Sequence, residues 1–135
     1  ATGYRLPTEA EWEYIARGAN SSSYIYSGDS SIDWVAWYKD NSDNHSHEVK
    51  TKPTANSLGI YDMSGNVFEF CWDWFGSISP STEATGSATG TNRVNRGGSF
   101  TSWKKDECTV YYRETSHIPY MRFVDCGFRV VRNAL

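Results

Sequence analysis

The stretch from Ala19 to Asn56 constrains this chain more than any other part of it. It mixes Ser, Asn, Asp and Gly with Tyr24, Tyr26, Trp34, Trp37 and Tyr38, and sustains neither a helical nor a strand period. So long a segment without regular structure stays ordered only if large side chains anchor it, which predicts a long loop pinned by aromatics. Of the 135 residues, 16% are aromatic and 39% hydrophobic, far more buriable surface than a disordered chain carries. The expectation is one loop-rich domain over residues 1–135.

Regular elements are few. Thr8-Glu9-Ala10-Glu11 has the capping-box pattern, predicting a helix with Trp12, Ile15 and Ala16 on one face that stops near Gly18. Phe68, Phe70, Trp72 and Trp74 alternate with Glu69, Cys71 and Asp73, which predicts a strand with its aromatic side inward. The small polar residues from Gly76 to Asn92, Pro80 among them, predict an exposed loop. Short strands are expected over Arg93 to Phe100, around Gly97-Gly98, and over Gly127 to Val131.

Charge and cysteine usage exclude several functions. The net charge is −3 and the basic residues are scattered from Arg5 to Arg132, so no nucleic-acid partner is expected. No stretch approaches the roughly 20 apolar residues of a membrane span, and the first residues lack the pattern of a signal peptide. Cys71, Cys108 and Cys126 lack Cys-x-x-Cys spacing and give neither a disulfide framework nor a zinc site; one bridge plus a free thiol stays open.

Four blocks stand in one order: Tyr4-Arg5-Leu6-Pro7-Thr8-Glu9-Ala10-Glu11-Trp12-Glu13-Tyr14, Gly59-Ile60-Tyr61-Asp62-Met63-Ser64-Gly65-Asn66-Val67-Phe68-Glu69-Phe70, Arg96-Gly97-Gly98-Ser99-Phe100 and Gly127-Phe128-Arg129. Together they resemble the formylglycine-generating-enzyme (sulfatase-modifying-factor) family. The resemblance implies an α+β, C-type-lectin-like fold with few helices, small antiparallel sheets and much ordered loop. Members of that family usually carry a further segment before the Arg-Leu-Pro-Thr-Glu block, so this chain resembles the C-terminal part of the domain. A missing N-terminal segment would leave apolar surface exposed or require a partner to cover it.

The resemblance also frames the chemistry. The family's oxidases hold copper on a Cys-x-x-x-x-Cys pair after the Gly-Gly-Ser block, as soft thiolates suit. Here only Cys108 is present and Trp103 stands where the other cysteine belongs, so neither copper nor catalytic residues are expected. The sulfoxide synthases of the family bind iron through histidines, for which His45 and His47 beside Asp43 and Glu48 are the local candidates; the alternative is a solvated polar loop. Asp62 to Glu69 resembles a calcium-binding turn of the family, which would use the Asp62 and Glu69 side chains with the Gly65 and Val67 carbonyls. The alternative there is an ion-free turn in which Asp62 and Asn66 cap local amides.

Residues 96–132, with Cys108, Arg113, Pro119 and Arg122 at characteristic intervals, resemble the variable region of diversity-generating-retroelement proteins. In those proteins mutated adenines in Asn codons yield a set of residues that omits Trp, Met, Lys, Glu and Gln. Thr115 to Ile118, Phe123 to Cys126, Tyr111, Tyr112 and Tyr120 all fall within that set, whereas Trp103, Glu114 and Met121 do not. The implied function is ligand-binding display from about residue 102 to 126 by Ser102, Trp103, Tyr111, Tyr112, Glu114, Ser116, His117, Ile118, Tyr120, Met121, Phe123 and Asp125. Arg96, Gly98, Arg113, Arg122 and Phe128 are expected to hold the framework. An unknown protein or surface ligand, and a bacterial cell surface or phage particle, are implied by resemblance alone. The alternatives are a metal-dependent oxidase of the family, a degenerate interaction member, and, for the aromatics, simple core packing.

Overall fold

In the computed structural model, which describes residues 3–79 and 83–133, the first helix (α1) spans Glu9–Ala16. Both halves of the capping box form: the Thr8 hydroxyl accepts the Glu11 amide at 3.2 Å and the Glu11 carboxylate accepts the Thr8 amide at 2.8 Å. Arg5 forks onto the same carboxylate at 2.6 and 2.7 Å. The inward side of α1 is Glu9, Trp12 and Ala16.

The segment after α1 is mostly loop, interrupted by a short helix (α2) over Ile32–Val35. Two of its five aromatics do the pinning, since Tyr26 and Tyr38 are buried with Ile32, Val35, Ala36 and Cys108, whereas Tyr24 and Trp34 are exposed. The loop is also tied to the end of α1. The Ser27 hydroxyl donates to the Ala16 carbonyl and the Asn56 amide to that of Ile15, both at 2.8 Å.

Strand β1 spans Phe68–Trp74, β2 spans Arg93–Arg96 and β3 spans Cys126–Gly127, in the order β2-β1-β3. β1 and β2 are antiparallel and β1 and β3 parallel, so the sheet is mixed rather than antiparallel. The strand periodicity of β1 is as expected, but the more deeply buried side is the opposite one: Glu69, Cys71 and Asp73 are buried, while of the aromatic side Phe68 is buried, Phe70 and Trp74 are half-buried and Trp72 is 52% exposed. Donors waiting inside explain the reversal: Glu69 accepts the Trp12 indole N–H at 2.7 Å, and Asp73 accepts the Glu9 amide at 2.7 Å. A buried carboxylate so supplied costs far less than an unpaired one.

Both other expected strands are shorter than their sequence pattern. β2 stops at Arg96 because Gly97 and Gly98 take φ of +94° and +74°, a region that favours glycine. A Cβ on Gly97 would lie 3.1 Å from the Trp12 ring, and one on Gly98 2.6 Å from Cys108 Sγ. β3 ends at Gly127, and among the described residues beyond it only Val131 pairs, with Arg5. The second core cluster joins Trp12, Ala16, Met63, Cys71, Val94 and Val110 between helix and sheet. All three cysteines are free. The described part of Gly76 to Asn92 is largely exposed, as expected; Pro80 lies outside the described residues.

Arg5, followed by the Thr8 amide, holds the Glu11 carboxyl down from 4.5 to about 2. A depressed carboxyl contributes stability above its unfolded value and loses it as pH falls. Urea denaturation should therefore show stability declining between pH 4.5 and about 2, with part of that decline absent in Glu11→Gln. Thr8→Ala should cost about 1 kcal/mol at neutral pH.

Candidate binding surface

The segments expected to bind are hung from buried ion pairs. Arg96, wholly buried on β2, has Nε 3.2 Å from Glu9 Oε1, and it also pairs with Glu13. Its Nη1 donates to the Val110 carbonyl at 3.1 Å and to the Tyr112 carbonyl at 2.7 Å. Fixing the carbonyls on either side leaves Tyr111 between them turned outward, 51% exposed. Arg113 then turns in, forking onto Glu9 at 2.6 and 2.8 Å and donating to the Gly76 carbonyl at 2.8 Å. Backbone pairing of Glu114 with Asn95, 2.9 Å in both directions, joins this segment to β2.

Several expected binding residues instead shape the loop. Burial pushes the Glu114 carboxyl up, but the Thr115 and Ser116 amides it accepts, at 2.6 and 2.7 Å, outweigh burial and hold it below its ordinary value. The Tyr112 hydroxyl donates to Glu114 at 3.3 Å and is pushed up to about 12, chiefly by burial and then by nearby Glu114 and Glu107. His117 is buried and its Nε2 lies 3.2 Å from Asp125 Oδ1. The second Asp125 oxygen accepts the Thr101 hydroxyl at 2.8 Å, and Phe123 meets the His117 ring edge-on at 4.6 Å. Ser102 is buried too, its hydroxyl accepting the Ser99 amide at 3.0 Å.

The expectation of twelve displayed side chains is thus corrected. Ser102 and His117 are interior, because each has a specific hydrogen-bond partner there. Tyr112, Glu114, Ile118, Phe123 and Asp125 are half-buried, and Trp103, Tyr111, Ser116, Tyr120 and Met121 are exposed. Tyr120 reaches 82% and Trp103 75%, the latter with the Lys39 ammonium 4.6 Å from its ring. No ring contact links Trp103, Tyr111 and Tyr120 among the described residues. Two exposed neighbours were not among the twelve expected binding residues: Val124 in the 117–125 loop, and Ile25, whose carbonyl accepts the Val110 amide at 2.8 Å. Membership of the permitted residue set carried a signal for Val124; the pairing with Ile25 is tertiary and carried none. Of the framework residues, Arg96, Gly98 and Arg113 are placed as expected, whereas Arg122 and Phe128 are exposed.

The cation candidates take different forms. His47 stacks on Trp37 with centroids 3.7 Å apart, and its Nε2 lies 2.9 Å from the Ser42 carbonyl. His45 and His47 therefore support a packed loop, and among the described residues no three His, Cys, Asp or Glu side chains form a metal-ligating group. In the Asp62 to Glu69 turn, Asp62 accepts the Lys50 amide at 2.8 Å and Asn66 the His47 amide at 2.9 Å. Arg129 forks onto Glu69 at 2.7 and 2.8 Å, while Gly65 donates its amide to Gly97 at 2.7 Å and Val67 lines the cavity beside Asp62. Asp62 Oδ1 is buried without a partner.

Residues 1–134 match the sulfatase-modifying factor enzyme 1-like domain family. The chain belongs to this family. It is 42% identical to the chaperone protein LppX of Paenibacillus barcinonensis over 76% of this chain and 40% of that protein. It is 33% identical to the formylglycine-generating enzyme of Streptomyces coelicolor over 98% of this chain and 48% of the enzyme. The solved structure of Treponema denticola variable protein 1 superposes with a TM-score of 0.86 at 41% identity, covering 96% of this chain and 47% of that one. The fold is accordingly the C-type-lectin-like fold of the sulfatase-modifying-factor family, and the chain spans about half the length of these relatives. Against the oxidase pattern of the family, Cys108 is fully buried, and burial pushes its thiol up to about 12, disfavouring the thiolate that would attack substrate.

Tyr111→Ser and Tyr120→Ser should each change stability by no more than about 0.5 kcal/mol, as exposed positions do. His117→Ala should cost more than about 1 kcal/mol, because Asp125 Oδ1 loses its partner and the contacts of the buried ring with Phe68 and Phe123 are lost. Chemical denaturation of the purified variants reads both.

Proposed function

We propose that this chain is a non-enzymatic ligand-binding domain of the diversity-generating-retroelement variable-protein type. The observation that carries the reading is the division of labour between residues 96 and 125: buried Arg96 and half-buried Arg113 grip backbone and Glu9, while Tyr111, Tyr120 and Met121 stand exposed between fixed points. Such an arrangement lets surface side chains vary without disturbing the scaffold. Exposed aromatics give rigid contact area at low entropic cost, and neighbouring polar groups adapt to the ligand. Likeness to Treponema denticola variable protein 1 supports the same reading. The ligand would be a protein or surface molecule met at a bacterial cell surface or on a phage particle.

Sequencing the genomic neighbourhood tests it. The expected result is a reverse-transcriptase gene and a near-copy of the codons for residues 96–132 that differs only at adenines. The differences should fall on Tyr111, Tyr120 and Val124 and spare Arg96, Trp103, Arg113, Glu114 and Met121. Absence of any such repeat, or stoichiometric copper or iron with turnover, would contradict the reading.

The proposal includes structural calcium at the Asp62 to Glu69 turn, held by the Asp62 side chain with the Gly65 and Val67 carbonyls, while the Glu69 carboxylate stays with Arg129 and Trp12. It is supported by Asp62 Oδ1, a buried oxygen lacking any donor, which a hard cation would satisfy. An ion bound only by the folded state raises the melting temperature by mass action. Calcium should therefore raise it relative to chelator, and Asp62→Ala should abolish the difference; identical melting curves in calcium and chelator would remove calcium from the account.

A further inference from the structure

A cavity of about 430 Å3 lies between α1 and the segment after β1, within the size range of small-molecule sites. None of its lining residues belongs to the twelve expected to bind or to the Asp62 to Glu69 turn. Tyr14, Trp74 and Ile78 supply apolar surface, while Glu9, Glu13, Asp73 and Glu83 bring carboxylates to it. Glu9 and Glu13 are ion-paired, to Arg113 and Arg17 in the cavity wall and to Arg96 behind it. Among the described residues no ion pair reaches Asp73 or Glu83. One negative charge therefore stays in excess.

Asp73 is the informative member. It is 4% exposed, and its Oδ2 accepts the Glu9 amide. Burial pushes its carboxyl above the ordinary value against the pull of that amide, as expected of an interior carboxylate without an ion-pair partner. Beside it stands Gly86 at φ +74°, where a Cβ would lie 2.6 Å from Asp73 Oδ1. Any side chain at that position would close over the oxygen. A buried carboxylate of raised affinity for protons, lining a cavity, marks a candidate binding site.

We propose that this cavity binds a small aromatic amine, its ammonium group held by Asp73 and Glu83 and its ring against Tyr14, Trp74 and Ile78. Charge selects a cation. An anion would meet two unpaired carboxylates, and the guanidiniums are already committed: Arg113 donates to Glu9 and the Gly76 carbonyl, and Arg17 to Glu13. The apolar wall selects an organic cation over a metal ion, and among the described residues no three His, Cys, Asp or Glu side chains form a metal-ligating group. A ligand ammonium satisfies the buried carboxylate that folding leaves without a counter-charge. This inference rests neither on the display reading nor on calcium.

Titration of the 135-residue chain with phenethylamine, followed by calorimetry and two-dimensional NMR, tests the proposal. Saturable binding at one site is expected, with shifts at the Trp74 indole and the Gly86 and Ser87 amides. Phenylacetate, similar in shape and opposite in charge, should bind about tenfold or more weakly. Asp73→Asn, which keeps an acceptor for the Glu9 amide, should weaken phenethylamine binding by about tenfold or more. Glu83→Gln alters an exposed side chain and should weaken it about threefold without changing the melting temperature; it decides alone if Asp73→Asn does not fold. Absence of saturation, equal affinity for phenylacetate, shifts confined to other surfaces, or unchanged affinity in either folded variant would overturn the inference.

Discussion

A buried carboxylate at the start of α1 is the constraint on which the rest depends. Glu9 is 6% exposed and faces two guanidiniums, Arg96 from β2 and Arg113 from the segment that follows Tyr112. An isolated carboxylate in that position would be too costly to keep ionised, so helix, sheet and loop must come together for any of them to be satisfied. The Glu9 amide is likewise spoken for, by Asp73 on β1. One residue thereby fixes three segments far apart in the chain, without the long hydrophobic stripes that a helical bundle or sandwich would use.

The same logic recurs at the other end of β1, on the same inward face. Glu69 accepts from the Trp12 indole and from Arg129, which also donates to the Tyr61 carbonyl at 3.1 Å. Polar groups of this kind are directional, and each satisfied partner fixes an orientation that apolar contact alone would leave loose. That suits a fold whose described residues hold two short helices, one turn of 3-10 helix and a small sheet. Loops in such a molecule are held by what their backbone carbonyls receive, as Val110 and Tyr112 receive Arg96, and outward side chains such as Tyr111 are left exposed.

What was legible in the sequence follows from which forces are local. The capping box of Thr8 and Glu11 acts within one turn, so its pattern alone located α1. The family blocks gave the fold, and Arg96 and Arg113 were recognisable as framework. The inward side of β1 was not legible. Alternation fixes a register but not which face is buried, and here distant Trp12, Arg129 and the Glu9 amide made the carboxylate side the inner one. His117 and Asp125 were read as surface for the same reason, since their mutual contact and that with Thr101 are tertiary. Phe128 was read as framework from the family block Gly127-Phe128-Arg129, whereas it is 69% exposed.

The central claim is that Glu9 and Arg113 act as one unit that holds the segment after Val110 to the helix. A double-mutant cycle on Glu9→Gln and Arg113→Gln, read by chemical denaturation, tests it directly. The account predicts a coupling energy of about 1–3 kcal/mol, with the double variant less destabilised than the sum of the singles. Additivity within about 0.5 kcal/mol would mean that the two side chains are held independently, and would contradict the account.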